Sequence, residues 1–126
     1  MPEALAPLIE ESSAAGIKTE LRVNGSPRSL STQAGLALYR AAQEGLTNVR
    51  KHAHASRVDL ALDFSDDRAV QLVVHDNGIG ARQTDGGFGL IGLRERVQHV
   101  GGELRAYTLA PGNDGPGFVL EVKVPG

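Results

Sequence analysis

The chain has 126 residues, a formal net charge of −2 and no cysteine. That length predicts a single domain over residues 1–126 with one core. The small net charge gives no general attraction to nucleic acid or to an anionic membrane, so we expect neither as a partner. The absence of cysteine excludes disulfides and thiolate metal sites. No apolar run approaches the ~20 residues of a membrane span, and Met1-Pro2-Glu3 begins no signal peptide, which predicts a cytoplasmic location.

The first half of the chain predicts a short helix, a strand and a long helix. Apolar residues share one side of a helix over residues 3–15, and Gly16 is a suitable stop. Residues 17–23 alternate apolar and polar side chains, which is typical of a half-buried strand. A long helix is predicted from about Ser31 to His52, with Ser31 or Thr32 as its N-cap.

The second half predicts two strand pairs separated by a helix. Residues 58–64 and 70–74 alternate on either side of Asp66-Asp67, which predicts two adjacent antiparallel strands. A glycine-rich loop follows, and residues 90–100 then predict a helix closed by Gly101-Gly102. Residues 104–108 and 118–124 predict the final strand pair across a turn-rich segment.

One predicted strand ends in the stretch Asp76-Asn77-Gly78-Ile79-Gly80. A carboxylate followed by two glycines leaves one acceptor beside open backbone, which suits a flat ligand held by one specific hydrogen bond. The alternative is a hairpin turn in which Asp-Asn-Gly supplies positive φ angles. The motif alone leaves both interpretations open.

The long helix contains a polar stripe, because Glu44, Asn48 and Lys51 fall at positions i, i+4 and i+7. Such a stripe is either a face exposed to solvent or part of a binding site. An amide oxygen of Asn48 would suit Mg²⁺, and Lys51 would reach phosphates as a point charge. Further along the chain, the segment Gly86-Gly87-Phe88-Gly89 leads into a predicted helix start, where free backbone N–H groups and the helix dipole favour the binding of phosphate. With Asp76 accepting from a purine amine, these parts would form an ATP site without a Walker loop.

Three motifs together resemble a known family. Glu44 to His52 resembles the N box, Asp76 to Gly80 the first glycine box, and Gly87 to Arg96 the second glycine box. In this order they are similar to the catalytic ATP-binding domain of bacterial sensor histidine kinases, in the subfamily whose response regulators are of the nitrate/nitrite-regulator type. The resemblance implies a Bergerat-type fold, which is an α/β two-layer sandwich. Its mixed, largely antiparallel sheet is covered on one face by three helices.

The resemblance also implies roles for individual residues. Asp76 would bind the adenine amino group, and Asn48 would bind the Mg²⁺. Lys51 and His52 would contact the phosphates, and Glu44 would orient the metal shell or assist a proton transfer. The two glycine boxes would supply further nucleotide contacts, from Gly78, Ile79, Gly80, Gly87, Phe88, Gly89, Leu90, Gly92 and Leu93.

The sequence departs from the family pattern in two ways. Gly117 is followed by Phe118 where threonine is usual, which would remove a threonine contact near the nucleotide. None of the four histidines begins a coiled-coil pattern typical of a phosphoacceptor helix. The pair His52-x-His54 lacks the further ligands that a metal site needs.

The resemblance therefore implies a fragment without the dimerisation and sensor domains. It would bind Mg-ATP and donate the γ-phosphoryl group to a histidine on the dimerisation domain, for relay to a response regulator, with little transfer in isolation and no direct membrane contact.

Two other functions remain open at this point. An anti-sigma-type serine kinase has the same fold and would phosphorylate a protein partner without a helical dimerisation domain. A non-catalytic module would bind nucleotide and respond by ordering its lid. The acceptor separates these functions, since phosphohistidine is acid-labile, phosphoserine is acid-stable, and the module transfers to neither.

Overall fold

A computed structural model describes residues 1–52, 54–78, 90–112 and 115–126. A 3₁₀ turn over Pro2–Leu5 precedes the regular elements. In chain order these are α1 (Ala6–Ala14), β1 (Lys18–Asn24), α2 (Thr32–His52), β2 (Arg57–Asp63), β3 (Ala69–Asp76), α3 (Leu90–His99), β4 (Glu103–Leu109) and β5 (Gly117–Pro125). Among the described residues, no helix has the length and apolar character needed to cross a membrane.

The five strands form one mixed sheet in the order β1-β2-β3-β5-β4. β1 and β2 are parallel, and the other three pairings are antiparallel. Burial alternates along β2 and β3, so one face of the sheet is packed and the other is partly open. The three helices pack against the buried face, and this confirms the two-layer sandwich implied by the family resemblance.

The core between the layers is mainly aliphatic, as the composition requires. Its fully buried side chains come from both the helices and the sheet: Leu5, Leu38, Leu46, Leu60, Leu62, Leu72, Leu120, Val58, Val70, Val97, Val122 and Val124. Burial of these apolar side chains supplies most of the favourable free energy of folding.

α2 is the central helix of the covered face. The side-chain oxygen of Ser31 accepts a hydrogen bond from the N–H of Ala34 at 3.1 Å, which confirms the predicted N-cap. Near its other end α2 approaches the sheet closely at Gly45. A Cβ atom at that position would lie 3.1–3.2 Å from three side-chain atoms of Val74 in β3. The glycine therefore sets the distance between helix and sheet.

α3 ends in a capping motif built on two glycines. Gly101 has a φ of 83°, in the left-handed region. Its N–H donates to the carbonyl of Gln98 at 3.0 Å, and the N–H of Gly102 donates to the carbonyl of Val97 at 2.9 Å. These two bonds form a Schellman motif, as the predicted stop at Gly101-Gly102 requires.

Two boundaries near the N-terminus differ from the prediction. The helix expected over residues 3–15 is divided, because Pro7 has no N–H to continue regular hydrogen bonding into the preceding turn. In β1 the expected alternation weakens, and Val23 is exposed. β1 is an edge strand, so its packing is less complete than that of β2 and β3.

Two glycines of α2 allow a direct test of its close approach to the sheet. Gly45→Leu should lower the free energy of unfolding by about 1–3 kcal/mol, because the larger side chain overpacks against Val74. A Cβ atom at Gly35 would meet no neighbouring atom within 4 Å, so Gly35→Ala should raise the free energy of unfolding by about 0.5–1 kcal/mol. Urea unfolding of both variants measures the difference. Equal effects at the two positions would contradict the seating of α2 at Gly45.

The open face of the sheet contains a tyrosine with a raised pKa. The hydroxyl of Tyr107 donates to Glu121 at 2.8 Å, and Arg105 bonds to the same carboxylate at 3.2 Å. The hydrogen bond to Glu121, followed by desolvation and the charge of Glu121, raises the pKa of Tyr107 above its ordinary value of about 10. The contact therefore stabilises the fold below about pH 10, and this contribution is lost as the pH rises through the folded-state pKa.

The chain has two tyrosines, so absorbance titration of tyrosinate can follow this group. Tyr107→Phe should remove the late phenol ionisation that the raised pKa of Tyr107 produces, and Tyr39→Phe, which keeps Tyr107, is the control. A late ionisation that persists in Tyr107→Phe would show that Glu121 does not control it.

Candidate functional site

The end of β3 and the end of α2 lie at the same end of the sheet. β2 begins at Arg57, and Val58 lies opposite Asp76 in the antiparallel register. α2 ends at His52, only a few residues before β2 begins. Because this connection is short, the last turns of α2 lie near the end of β3.

The start of α3 lies at this end as well. Phe118 lies opposite Asp76, and β4 finishes beside Gly117, so β4 runs toward the Asp76 end of the sheet. α3 packs on β4 and joins its far end through the short turn at Gly101-Gly102. It must therefore run antiparallel to β4, with Leu90 toward the Asp76 end. Three element ends thus converge there, from α2, β3 and α3.

Asp76, at the end of β3 where these three element ends meet, has a buried carboxylate, with 2% of its surface exposed. Its Oδ1 accepts the N–H of Gly78 at 2.7 Å. β3 is paired on one side with β2 and on the other with β5, so no edge is left for a hairpin partner after Asp76. This excludes the hairpin interpretation of the motif. Gly117 permits the close pairing, since a Cβ atom there would overlap the carbonyl oxygen of Asp76.

The next residue, Asn77, connects β3 to the start of β2. Its Oδ1 accepts the N–H groups of Ser56 and Arg57, each at 3.0 Å. Its Nδ2 donates to the hydroxyl of Ser56 at 3.0 Å, and its backbone N–H donates to the carbonyl of Arg57 at 3.2 Å. Four hydrogen bonds of one residue therefore hold the two strand ends together.

The predicted polar stripe of α2 is not a uniformly solvated face. Asn48 is buried, with 3% of its surface exposed, Glu44 is half-buried, and Lys51 is exposed. Among the described residues, the side chain of Asn48 has no hydrogen-bond partner, and neither Glu44 nor Lys51 has an ion pair. Buried amides are normally hydrogen-bonded, so an unpartnered one needs an explanation such as a bound ion or ligand.

The residues of the second glycine box separate into two groups. Leu90 and Leu93 are buried in the hydrophobic core, so their side chains stabilise α3. Gly92 is exposed and lines a groove of about 610 Å³ with Gln33 and Leu36 of α2. The remaining predicted nucleotide contacts lie outside the described residues: Ile79, Gly80, Gly87, Phe88, Gly89 and the side chain of His52.

The ends of α2, β3 and α3 that meet at the Asp76 end of the sheet bring opposite partial charges together. The C-terminal end of α2 has the negative end of a helix dipole, which favours cations, and the N-terminal end of α3 has the positive end, which favours anions. Asn48 adds a neutral oxygen ligand and Lys51 a positive charge at the end of α2. This arrangement is chemically suited to a metal ion and phosphate groups bound side by side.

Two residues with clear structural roles were missed from the sequence. Asn77 has an Asx-turn signature in Asp-Asn-Gly, but its partners Ser56 and Arg57 are remote in sequence. At the opposite end of the sheet, the guanidinium of Arg28 donates to four backbone carbonyls, of Phe64, Asp66, Ala69 and Gly126. No local pattern signals such a contact.

Comparison with known proteins agrees with this geometry. Residues 33–126 match the family of histidine kinase-, DNA gyrase B- and HSP90-like ATPases. The chain is 34% identical over 112 residues to the histidine-protein kinase/phosphatase DegS of Brevibacillus brevis, covering 86% of this chain and 28% of that protein. It is 41% identical over 91 residues to the histidine-protein kinase/phosphatase UhpB of Salmonella typhimurium, covering 71% of this chain and 18% of that protein.

A solved structure shows the same fold. The mycobacterial sensor histidine kinase MprB superposes with a TM-score of 0.71 at 24% sequence identity, covering 100% of this chain and 95% of that one. The chain spans less than a third of the length of the two curated relatives. Given the matched residues and the converging ends of α2, β3 and α3, this chain belongs to the family of histidine kinase-, DNA gyrase B- and HSP90-like ATPases.

Proposed function

We propose that residues 1–126 form the catalytic ATP-binding domain of a sensor histidine kinase, a protein kinase that transfers phosphate from Mg-ATP to histidine. The observation that supports this most strongly is the buried amide of Asn48, which has no partner among the described residues and lies at the same end of the sheet as buried Asp76. A purine nucleotide with its metal would give both groups a role, and the curated relatives are named as histidine kinases.

In this proposal Asp76 accepts a hydrogen bond from the adenine amino group. Its Oδ1 already accepts from Gly78, and a carboxylate has further lone pairs for the base. Gly78, Ile79 and Gly80 would allow the backbone to approach the ring. Lys51 and His52, with Gly87, Phe88 and Gly89 before α3, would contact the phosphates.

The donor set at the end of α2 fits Mg²⁺. The metal prefers oxygen ligands and usually takes few of them from protein, and Asn48 offers one such oxygen in a buried position. Asn48 would hold the ion directly, and half-buried Glu44, one turn earlier, would orient its shell. When bound, Mg²⁺ supplies charge neutralisation of the phosphates.

The reaction would transfer the γ-phosphoryl group to an imidazole nitrogen. A bond forms between that nitrogen and phosphorus, the bond to the bridging oxygen breaks, and ADP leaves. The N–H proton of the imidazole would pass to a base, for which Glu44, the carboxylate of the stripe, is the candidate. Lys51 and the backbone amides would contribute by positioning and charge neutralisation.

The acceptor histidine and the next partner would lie in other parts of the signalling system. We infer a dimerisation domain that bears the histidine, and a response regulator of the nitrate/nitrite-regulator type that receives the phosphate. The names of the relatives favour a histidine acceptor over the serine of anti-sigma-type kinases. The isolated domain should bind ATP but transfer little phosphate.

Asp76→Asn tests the proposed adenine contact. The amide would turn a donor toward the adenine amino group, so ATP affinity should fall about ten- to a hundredfold. Isothermal titration calorimetry measures the change. Asp67→Asn makes the same chemical change on an exposed loop at the far end of β3 and should leave affinity unaltered. An Asp76→Asn protein that binds ATP like the native chain would overturn the adenine assignment.

Asn48→Ala tests the proposed metal ligand. ATP affinity in the native chain should be higher with Mg²⁺ than with EDTA, and in the variant this ratio should fall to about one. The melting temperature should drop little, because the amide that is removed has no partner among the described residues. Asn24→Ala, at the exposed end of β1, is the matched control. A metal requirement that survives in Asn48→Ala would remove this residue from the proposed metal site.

A further inference from the structure

Asn77 is the residue directly beyond the last paired position of β3. Asp76 is held by strand pairing on both sides, with Val58 in β2 and Phe118 in β5. Beyond Asp76 this double pairing ends. The position of the backbone at residues 77–78 then depends on the hydrogen bonds that Asn77 makes.

Those bonds connect Asn77 to a well-anchored segment. Its Oδ1 accepts from the backbone N–H groups of Ser56 and Arg57, each at 3.0 Å. The carbonyl of Ser56 in turn accepts the N–H of Lys18 at 2.9 Å, which is where β1 begins beside β2. The side chain of Asn77 therefore joins the end of β3 to two other strands.

The same backbone controls the carboxylate of Asp76. Its Oδ1 accepts the N–H of Gly78 at 2.7 Å, a contact that spans Asn77. If the 77–78 peptide rotates, the Gly78 N–H moves and the preferred orientation of the carboxylate moves with it. A hydrogen bond to an ionised acceptor is strong and directional, so this coupling is effective.

We propose that Asn77 is a positioning residue for adenine recognition: its bridge to Ser56 and Arg57 fixes the Gly78 N–H, which orients the carboxylate of Asp76 toward the purine amino group. The inference rests on the proposed function, because it assumes that Asp76 receives this amino group. Asn77 itself has no contact with the base in this proposal. Its side chain faces the start of β2, and its effect on the ligand passes through Gly78 and Asp76.

The experiment compares two nucleotides in native and variant chains. ATP has the 6-amino group, and purine riboside triphosphate lacks it but is otherwise the same. The ratio of the two dissociation constants isolates the contact with Asp76. Asn77→Ala removes the bridge, and we expect ATP affinity to fall about five- to tenfold while affinity for the analogue changes less than about twofold.

Two control variants separate positioning from general loss of stability. Arg28→Ala breaks the four-carbonyl contact at the opposite end of the sheet and should lower the melting temperature without changing the nucleotide ratio. Ser56→Ala removes only the bond from Nδ2 of Asn77 and keeps both bonds to Oδ1, so it should change the ratio less than Asn77→Ala. If Asn77→Ala does not fold, as judged by circular dichroism, the milder Asn77→Ser replaces it with the same expected loss of discrimination.

The outcomes distinguish the two levels of the hypothesis. A native chain that binds both nucleotides equally would contradict the adenine contact of Asp76, and the role of Asn77 would fail with it. A native chain that prefers ATP, with the preference unchanged in folded Asn77→Ala or Asn77→Ser, would overturn the positioning role alone. Equal weakening of both nucleotides by the Asn77 variants would assign the residue a purely structural role and also overturn the inference.

Discussion

The close approach of α2 to β3 is the constraint on which the site depends. Gly45 lets the helix backbone rest on Val74, two residues before Asp76 on the same face of the sheet. Asn48 follows Gly45 by about one helical turn, so the same approach buries its amide. A larger side chain at position 45 would lift the last turns of α2 from the sheet. The packing of α2 on the sheet and the burial of Asn48 are therefore coupled through Gly45.

Topology accounts for the rest of the arrangement. The antiparallel β2–β3 pairing brings the start of β2, and with it the end of α2, to the end of β3. β4 ends at this same end of the sheet, and α3, which precedes β4 and runs antiparallel to it, therefore begins there too. The helix dipoles then present opposite partial charges to one region.

Local patterns predicted the elements well and their long-range contacts poorly. The period of apolar residues predicted α2, the strand pair β2–β3 and the helix α3, and the Ser31 cap and the Gly101-Gly102 stop have local signatures. The parallel pairing of β1 with β2 has no such signature, because it depends on contacts between distant segments. The family resemblance selected Asn48, but its burial depends on how α2 sits on the sheet. The bridge from Asn77 to Ser56 likewise appears only once β2 and β3 are paired.

The proposed site residues that the structure describes differ in exposure, and this difference would orient a bound nucleotide. Asp76 and Asn48 are buried, Glu44 is half-buried, and Lys51 is exposed at the end of α2. In the proposed function, with adenine at Asp76 and the metal at Asn48, the phosphate chain would extend toward Lys51 and solvent. The buried end would then select the base, where desolvation makes an unmatched polar group costly. The exposed end would present the γ-phosphate to an acceptor on another domain, which a fully enclosed site would prevent.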